Sequence, residues 1–118
     1  MAEKKYAIVG AREFNDYDKL TAKVDEFIAK FGTPDVIISG GAKGADTLGE
    51  RYAKEKGIKF QCLLPDWNKH GKIAGILRNT DIVNQSTHIL AFISGPSRGT
   101  RDTINKGIKA KKHVEVYE

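Results

Sequence analysis

The chain has 118 residues, 40% of them hydrophobic and 30% charged, which suits one packed domain and excludes a disordered or fibrous chain. No stretch approaches about 18 apolar residues, and no apolar run follows the first lysines. Neither a membrane-spanning helix nor a secretory signal is therefore expected, and the cytoplasm is the expected compartment. The 20 Lys and Arg against 15 Asp and Glu give a net charge of +5, spread over positions such as Lys54, Lys56, Lys106, Lys109, Lys111 and Lys112. This is either an ordinary lysine-rich surface or a basic rim for anionic ligands or nucleic acid.

Tyr6-Ala-Ile-Val-Gly10 is a short apolar run ending in glycine, the pattern of a strand buried on both faces of a parallel sheet. After the turn from Ala11 to Asp16, Tyr17, Leu20, Val24, Phe27, Ile28 and Phe31 recur at helical spacing, and Gly32 with Pro34 closes that helix. Val36-Ile-Ile38 is a second strand. It runs into Ser39-Gly-Gly-Ala-Lys-Gly-Ala-Asp46, after which Ala45, Leu48, Gly49, Tyr52 and Ala53 mark one face of a helix ending at Gly57.

Residues 59–64 read as a third strand stopped by Pro65. The lone cysteine, Cys62, falls in this run and is expected to be buried, with no disulfide partner. A polar loop with Trp67 and His70 leads to a helix expected to turn Ile73, Ile76, Leu77, Thr80 and Val83 inward. Residues 87–94 form the most apolar strand, and Gly95-Pro-Ser-Arg-Gly-Thr100 is a second glycine loop. Ile104, Gly107 and Ile108 then mark the inner face of a fourth helix, and His113-Val-Glu-Val-Tyr117 alternates like an edge strand.

Five strands alternating with four helices predict one domain over residues 1–118: a Rossmann-like doubly wound parallel sheet in an α/β three-layer sandwich. Right-handed crossovers place every strand-to-helix loop at the carboxyl edge. The chemically unusual residues fall in those loops, whereas helix-to-strand loops hold punctuation such as Gly32-Thr33-Pro34. One functional face is expected.

The first glycine loop contributes Ser39, Gly40, Gly41, Lys43, Gly44 and Asp46. Its three glycines permit sharp turns and close approach of a ligand, and its backbone N–H groups, aimed from a helix N-terminus, suit phosphate. It matches neither the Walker A nor the G-x-G-x-x-G pattern. Asp46 favours the helix dipole yet would repel a phosphate bound beside it. It therefore either caps the turn or accepts a hydrogen bond from a sugar hydroxyl. The second loop adds Ser97, Arg98, Gly99 and Thr100, and the first strand's end adds Gly10 and Arg12; arginine grips phosphate bidentately. Asp66 and Trp67 in the polar loop, with Arg78 and Asn79 on the third helix, are candidate base and sugar contacts, the indole by stacking. His70 is a candidate acid or base, against a plain exposed histidine. His88 and His113 start strands, away from this rim. No metal-ligand cluster and no catalytic set can be read.

Ile8-Val-Gly-Ala-Arg12, Ser39-Gly-Gly-Ala-Lys-Gly-Ala-Asp46, Pro65-Asp-Trp67, Arg78-Asn79 and Ser97-Arg-Gly-Thr100, in this order, resemble the YspA-like branch of the SLOG superfamily. That superfamily includes the Lonely Guy (LOG) phosphoribohydrolases and the DNA-processing protein DprA. The resemblance implies a nucleotide or nucleotide-derived ligand held at the carboxyl edge, with phosphate at Gly40, Gly41 and Gly44 and a second ligand loop at Ser97, Gly99 and Thr100. It also implies a homodimer or higher homo-oligomer. LOG enzymes carry Pro-Gly-Gly-x-Gly-Thr-x-x-Glu; here Thr103 stands where the catalytic glutamate belongs, and Pro96-Ser97-Arg98 replaces the Pro-Gly-Gly. The first expectation is thus a binding module that senses or sequesters a nucleotide. An N-glycosidic hydrolase, with Asp46 or Asp66 as the acid, and a single-stranded DNA-binding module are the alternatives.

Overall fold

The computed structural model describes residues 3–95 and 97–118; Pro96 of the second glycine loop lies outside the described residues. In chain order it contains β1 (Lys5–Gly10), α1 (Tyr17–Phe31), β2 (Val36–Ser39), α2 (Ala45–Lys56), β3 (Lys59–Cys62), α3 (Trp67–His70), a 3-10 turn (Gly71–Ile73), α4 (Ala74–Gln85), β4 (His88–Phe92), α5 (Arg98–Lys109) and β5 (His113–Tyr117). The strands form one parallel sheet in the order β3-β2-β1-β4-β5. This is the expected Rossmann-like α/β architecture. Its strand order reverses between β1 and β4, the place where such sheets open a crevice at their carboxyl edge.

The two-residue period of the strands divides the core into two layers. Tyr6, Ile8, Ile37, Leu90 and Phe92 pack with Leu20, Val24 and Phe27 of α1 and Ala45, Tyr52 and Ala53 of α2. Ala7, Val9, Ile38, Ile89 and Ala91 point the other way, against Ile82 and Val83 of α4 and Ile104 of α5. Strands buried on both faces explain why β1, β2 and β4 read as continuous apolar runs rather than alternating ones.

Helix ends follow local chemistry. Asp16 caps α1 by accepting the Lys19 amide, and Gly57, at φ 67°, ends α2 with its N–H on the carbonyls of Ala53 and Lys54. In the polar loop, Asp66 accepts the Lys69 amide and so starts α3, an element the sequence had read as loop. No helix among the described residues is long and apolar enough to cross a membrane.

Four expectations fail in packing. β3 stops at Cys62, and as an edge strand it leaves Cys62 exposed rather than buried. β4 is shorter than residues 87–94. Ile73 of the 3-10 turn and Ile76 and Leu77 of α4 face outward at 54%, 52% and 36% exposure, while Ala74, Asn79, Ile82 and Val83 are buried. On α5, Ile108 is exposed and Thr100, Thr103, Ile104 and Gly107 face inward. In both helices the buried stripe carries small or polar residues that touch the sheet and the neighbouring helix closely.

Candidate functional site

At the reversal between β1 and β4 lies a cleft of about 370 Å³. Gly10 to Glu13 line it from the end of β1, Ala42 and Asp46 from the loop into α2, Arg78, Asn79 and Ile82 from α4, and Ser97 to Thr100 with Thr103 from α5.

The loop between β2 and α2 is held shut from within. Asp46, 5% exposed, accepts the amides of Gly40 (3.1 Å) and Ala42 (3.2 Å) on one oxygen, Oδ2. The Gly41 amide goes to Ser39 Oγ at 3.4 Å, and Thr47 Oγ1 donates to the Ala42 carbonyl at 2.9 Å. The Ala45 amide reaches across to the Ala11 carbonyl at 3.3 Å, which ties this loop to the one after β1. Gly44 sits at that crossing with φ 81°, and a Cβ there would overlap the carbonyl oxygens of Ala11 and Arg12. Burial pushes the Asp46 carboxyl up to about 6; the Ala42 amide, Arg78 and the amides of Gly40 and Gly10 restrain the rise.

From α4, Arg78 and Asn79 clasp both glycine loops. Arg78 donates from Nη1 to the Gly40 carbonyl at 2.6 Å and from Nε to Asn79 Oδ1 at 3.1 Å. Asn79 Nδ2 in turn donates to the Gly99 carbonyl at 3.3 Å and to Asp102 Oδ2 at 3.2 Å. Lys106 completes the set on Asp102 at 2.8 Å. A buried asparagine on an otherwise apolar helix face is thus explained by its partners.

The N-terminus of α5 is arranged differently. Among the described residues no side chain caps its backbone, Ser97 Oγ donates instead to Thr100 Oγ1 at 2.7 Å, and the first turn holds no acid. Gly99 is exposed, with open space where a Cβ would stand.

Of the residues singled out from sequence, Gly10, Arg12, Asp46, Arg78, Asn79, Ser97, Arg98, Gly99 and Thr100 come together around the cleft. Ser39 and Gly40 are buried behind it, and Gly44 buttresses it. Gly41, Lys43, Asp66, Trp67 and His70 do not line it; Asp66 caps α3, and Trp67, 57% exposed, lies over Gly75. Sequence reasoning missed Glu13, which follows Arg12 directly in the β1 loop, and Thr103, whose hydroxyl bonds the Gly99 carbonyl at 3.2 Å. Among the described residues, no three His, Cys, Asp or Glu side chains are placed to hold a metal ion.

Fold and cleft together define a Rossmann-like domain whose cleft lies at its topological switch point. The family description "YspA, cpYpsA-related SLOG family" matches residues 5–70. The chain belongs to that family. It is 32% identical over 113 residues to the Gene 61 protein of Mycobacterium phage D29, covering 91% of this chain and 90% of that protein. Among solved structures it resembles DNA processing protein A (DprA) of Streptococcus pneumoniae with a TM-score of 0.75 and 21% identity. That match covers 97% of this chain and 50% of DprA, so the chain corresponds to half of that protein. The structural-genomics target TM1055 matches with a TM-score of 0.67 and 20% identity, over 94% of this chain and 72% of that one. At these identities the two structures share the fold.

Proposed function

We propose that this protein binds a nucleotide or nucleotide-derived ligand in the cleft, as a sensing or sequestering module. The observation that carries the reading is the pairing of an uncapped helix N-terminus, that of α5, with Arg12, Arg78 and Arg98 around a single cleft. Helix dipole, open amides and guanidinium groups all favour an anion at that end. Asp46 and Glu13 supply acceptors for sugar hydroxyls or base amines elsewhere in the same cleft. Family membership and the Rossmann-like fold make a nucleotide the natural ligand class.

Titration calorimetry with nucleoside monophosphates, ADP-ribose and cyclic nucleotides tests the proposal. Gly99→Glu is the matched control, because it adds a carboxylate to the anion end where space is open. Heat with the native chain and at least tenfold weaker binding by the variant is expected, the equivalent of about 1.4 kcal/mol. No heat with any ligand overturns the reading.

A second reading, hydrolysis of the N-glycosidic bond, is favoured by one observation. Asp46 is a cleft carboxyl raised to about 6, the range in which an acid catalyst operates near neutral pH. Release of free base from a nucleoside monophosphate, lost in Asp46→Asn, would establish it; intact substrate at high protein concentration would dismiss it.

A further inference from the structure

At the amino edge of the sheet, opposite the cleft, two histidines face each other. His88 opens β4 and His113 opens β5, in register on neighbouring parallel strands, with ring centroids 5.6 Å apart. The two-residue period of the strands turns both rings to the layer covered by α1. There they meet the last turns of that helix. The His88 ring lies 5.6 Å from Phe27 and 5.4 Å from Phe31, and the His113 ring 5.7 Å and 4.7 Å from the same two. Tyr6 of β1 closes the group, its ring 4.9 Å from His88 and its hydroxyl donating to the carbonyl of Gly32, where α1 ends.

Charge around the pair is lopsided. From β5, Glu115 stands 3.1 Å from His113 Nε2 and supplies a counter-charge. From the start of β1 comes the cation Lys4, whose amide is bonded to Asp35, and from α1 comes Lys30, over the Phe31 ring. Among the described residues His88 has no carboxylate within hydrogen-bonding reach, and its Nδ1 meets Thr87 Oγ1 at 2.8 Å. Burial first, then His113 and Lys4, push its pKa below the ordinary 6.5.

We propose that His88 and His113 form an acid-sensitive latch, which holds the end of α1 and the edge strand β5 on the sheet while His88 is neutral and loosens them once it takes a proton. Protonation sets a cation among Phe27, Phe31 and Tyr6, beside Lys4, with no carboxylate to offset it. β4 is held by a strand on each side, whereas β5 has one neighbouring strand and α1 stops at Gly32. Sheet edges and helix ends open locally before the whole chain does. His88 holds its proton less firmly in the folded chain than in the unfolded one. Its contribution is therefore full above 6.5 and is lost as pH falls through that value.

Hydrogen exchange read by mass spectrometry at about pH 7.5 and about pH 5.5, corrected for the intrinsic rate, tests the latch. Segments 27–33 and 113–117 should exchange about threefold to tenfold faster at the lower pH, about tenfold per pH unit being the limit for one proton. Segments 6–12 and 97–103, at the cleft, should keep their protection. His88→Phe retains an aromatic ring that cannot be charged, and should abolish the difference. No loss of protection, a loss spread evenly over the chain, or one unchanged in that variant overturns the proposal. Should the variant not fold, magnetic resonance of the native chain decides: a His88 ring titrating below 6.5 supports the latch, and one titrating at or above 6.5 overturns it.

Discussion

The loops after β2 and β4 are built from the same ingredients: a strand end, glycines, a hydroxyl residue and a helix N-terminus. They nevertheless end in opposite states. The first closes on itself, with Asp46 bridging the amides of Gly40 and Ala42 and with Gly44 wedged against the Ala11 and Arg12 carbonyls. The second stays open, with Gly99 unobstructed and no side-chain cap on α5. A glycine-rich turn after a strand is thus not in itself an anion cradle. Whether an internal acid takes the amides decides between scaffold and site.

Substitutions separate the two roles, and the largest expected effect is on the closed loop. Gly44→Val demands both a left-handed φ and space held by backbone oxygens, and should lower unfolding free energy by more than about 4 kcal/mol in denaturant titration. An unchanged midpoint would mean that the two loops are not braced at this crossing.

Asp46→Ala orphans the buried amides of Gly40 and Ala42 and should cost about 2 kcal/mol at pH 6, read by the same titration. Acidity probes the same group more finely. Because burial raises the folded-state pKa of Asp46 to about 6 from 3.8, the folded chain holds this proton more firmly than the unfolded one. Its contribution to stability is therefore full below about pH 4 and is lost as pH rises through 6, by at most about 3 kcal/mol. Subtracting the pH profile of Asp46→Asn isolates this slope from Glu55, whose pKa is lowered by its bonds to Tyr17 and Arg51. A flat difference would refute the assignment. At the open loop, Gly99→Glu should change thermal stability by no more than about 0.5 kcal/mol, although it alters binding. A large loss there would erase the contrast.

The parallel sheet, its helix layers and the gathering of loop residues at one rim were legible because continuous apolar runs and their punctuation leave few topologies; the strand order was not. The phase of α4 was not. Together with the 3-10 turn before it, it carries two stripes of apolar residues, and Ile73, Ile76 and Leu77 form the more apolar of the two. Asn79 turns the other stripe inward by bonding the Gly99 carbonyl and Asp102. That is a tertiary pairing between residues 20 and 23 positions apart, which periodicity cannot register. Cys62 misled because an apolar run on an edge strand looks like one in the middle of a sheet. At the site, both readings of Asp46 were visible from its position alone; only the bonds to Gly40 and Ala42 identify it as the clamp of its own loop.

The strand order also has a kinetic meaning. β1, β2 and β3 pair with their neighbours in sequence, but β1 must meet β4 across 82 residues, as the bond from the Lys5 amide to Thr87 Oγ1 records. Closing so long a loop carries an entropy cost that grows with its length, and such non-local pairings slow folding. The cleft spans this long-range seam, with β1, α2 and the Arg12 turn on one side and α4 and α5 largely on the other. A ligand that touches both sides acts as a reversible cross-link across it. Its binding energy then adds to the stability of the whole chain as RT ln(1 + [L]/Kd), so thermal shift is a sensitive way to search for the ligand.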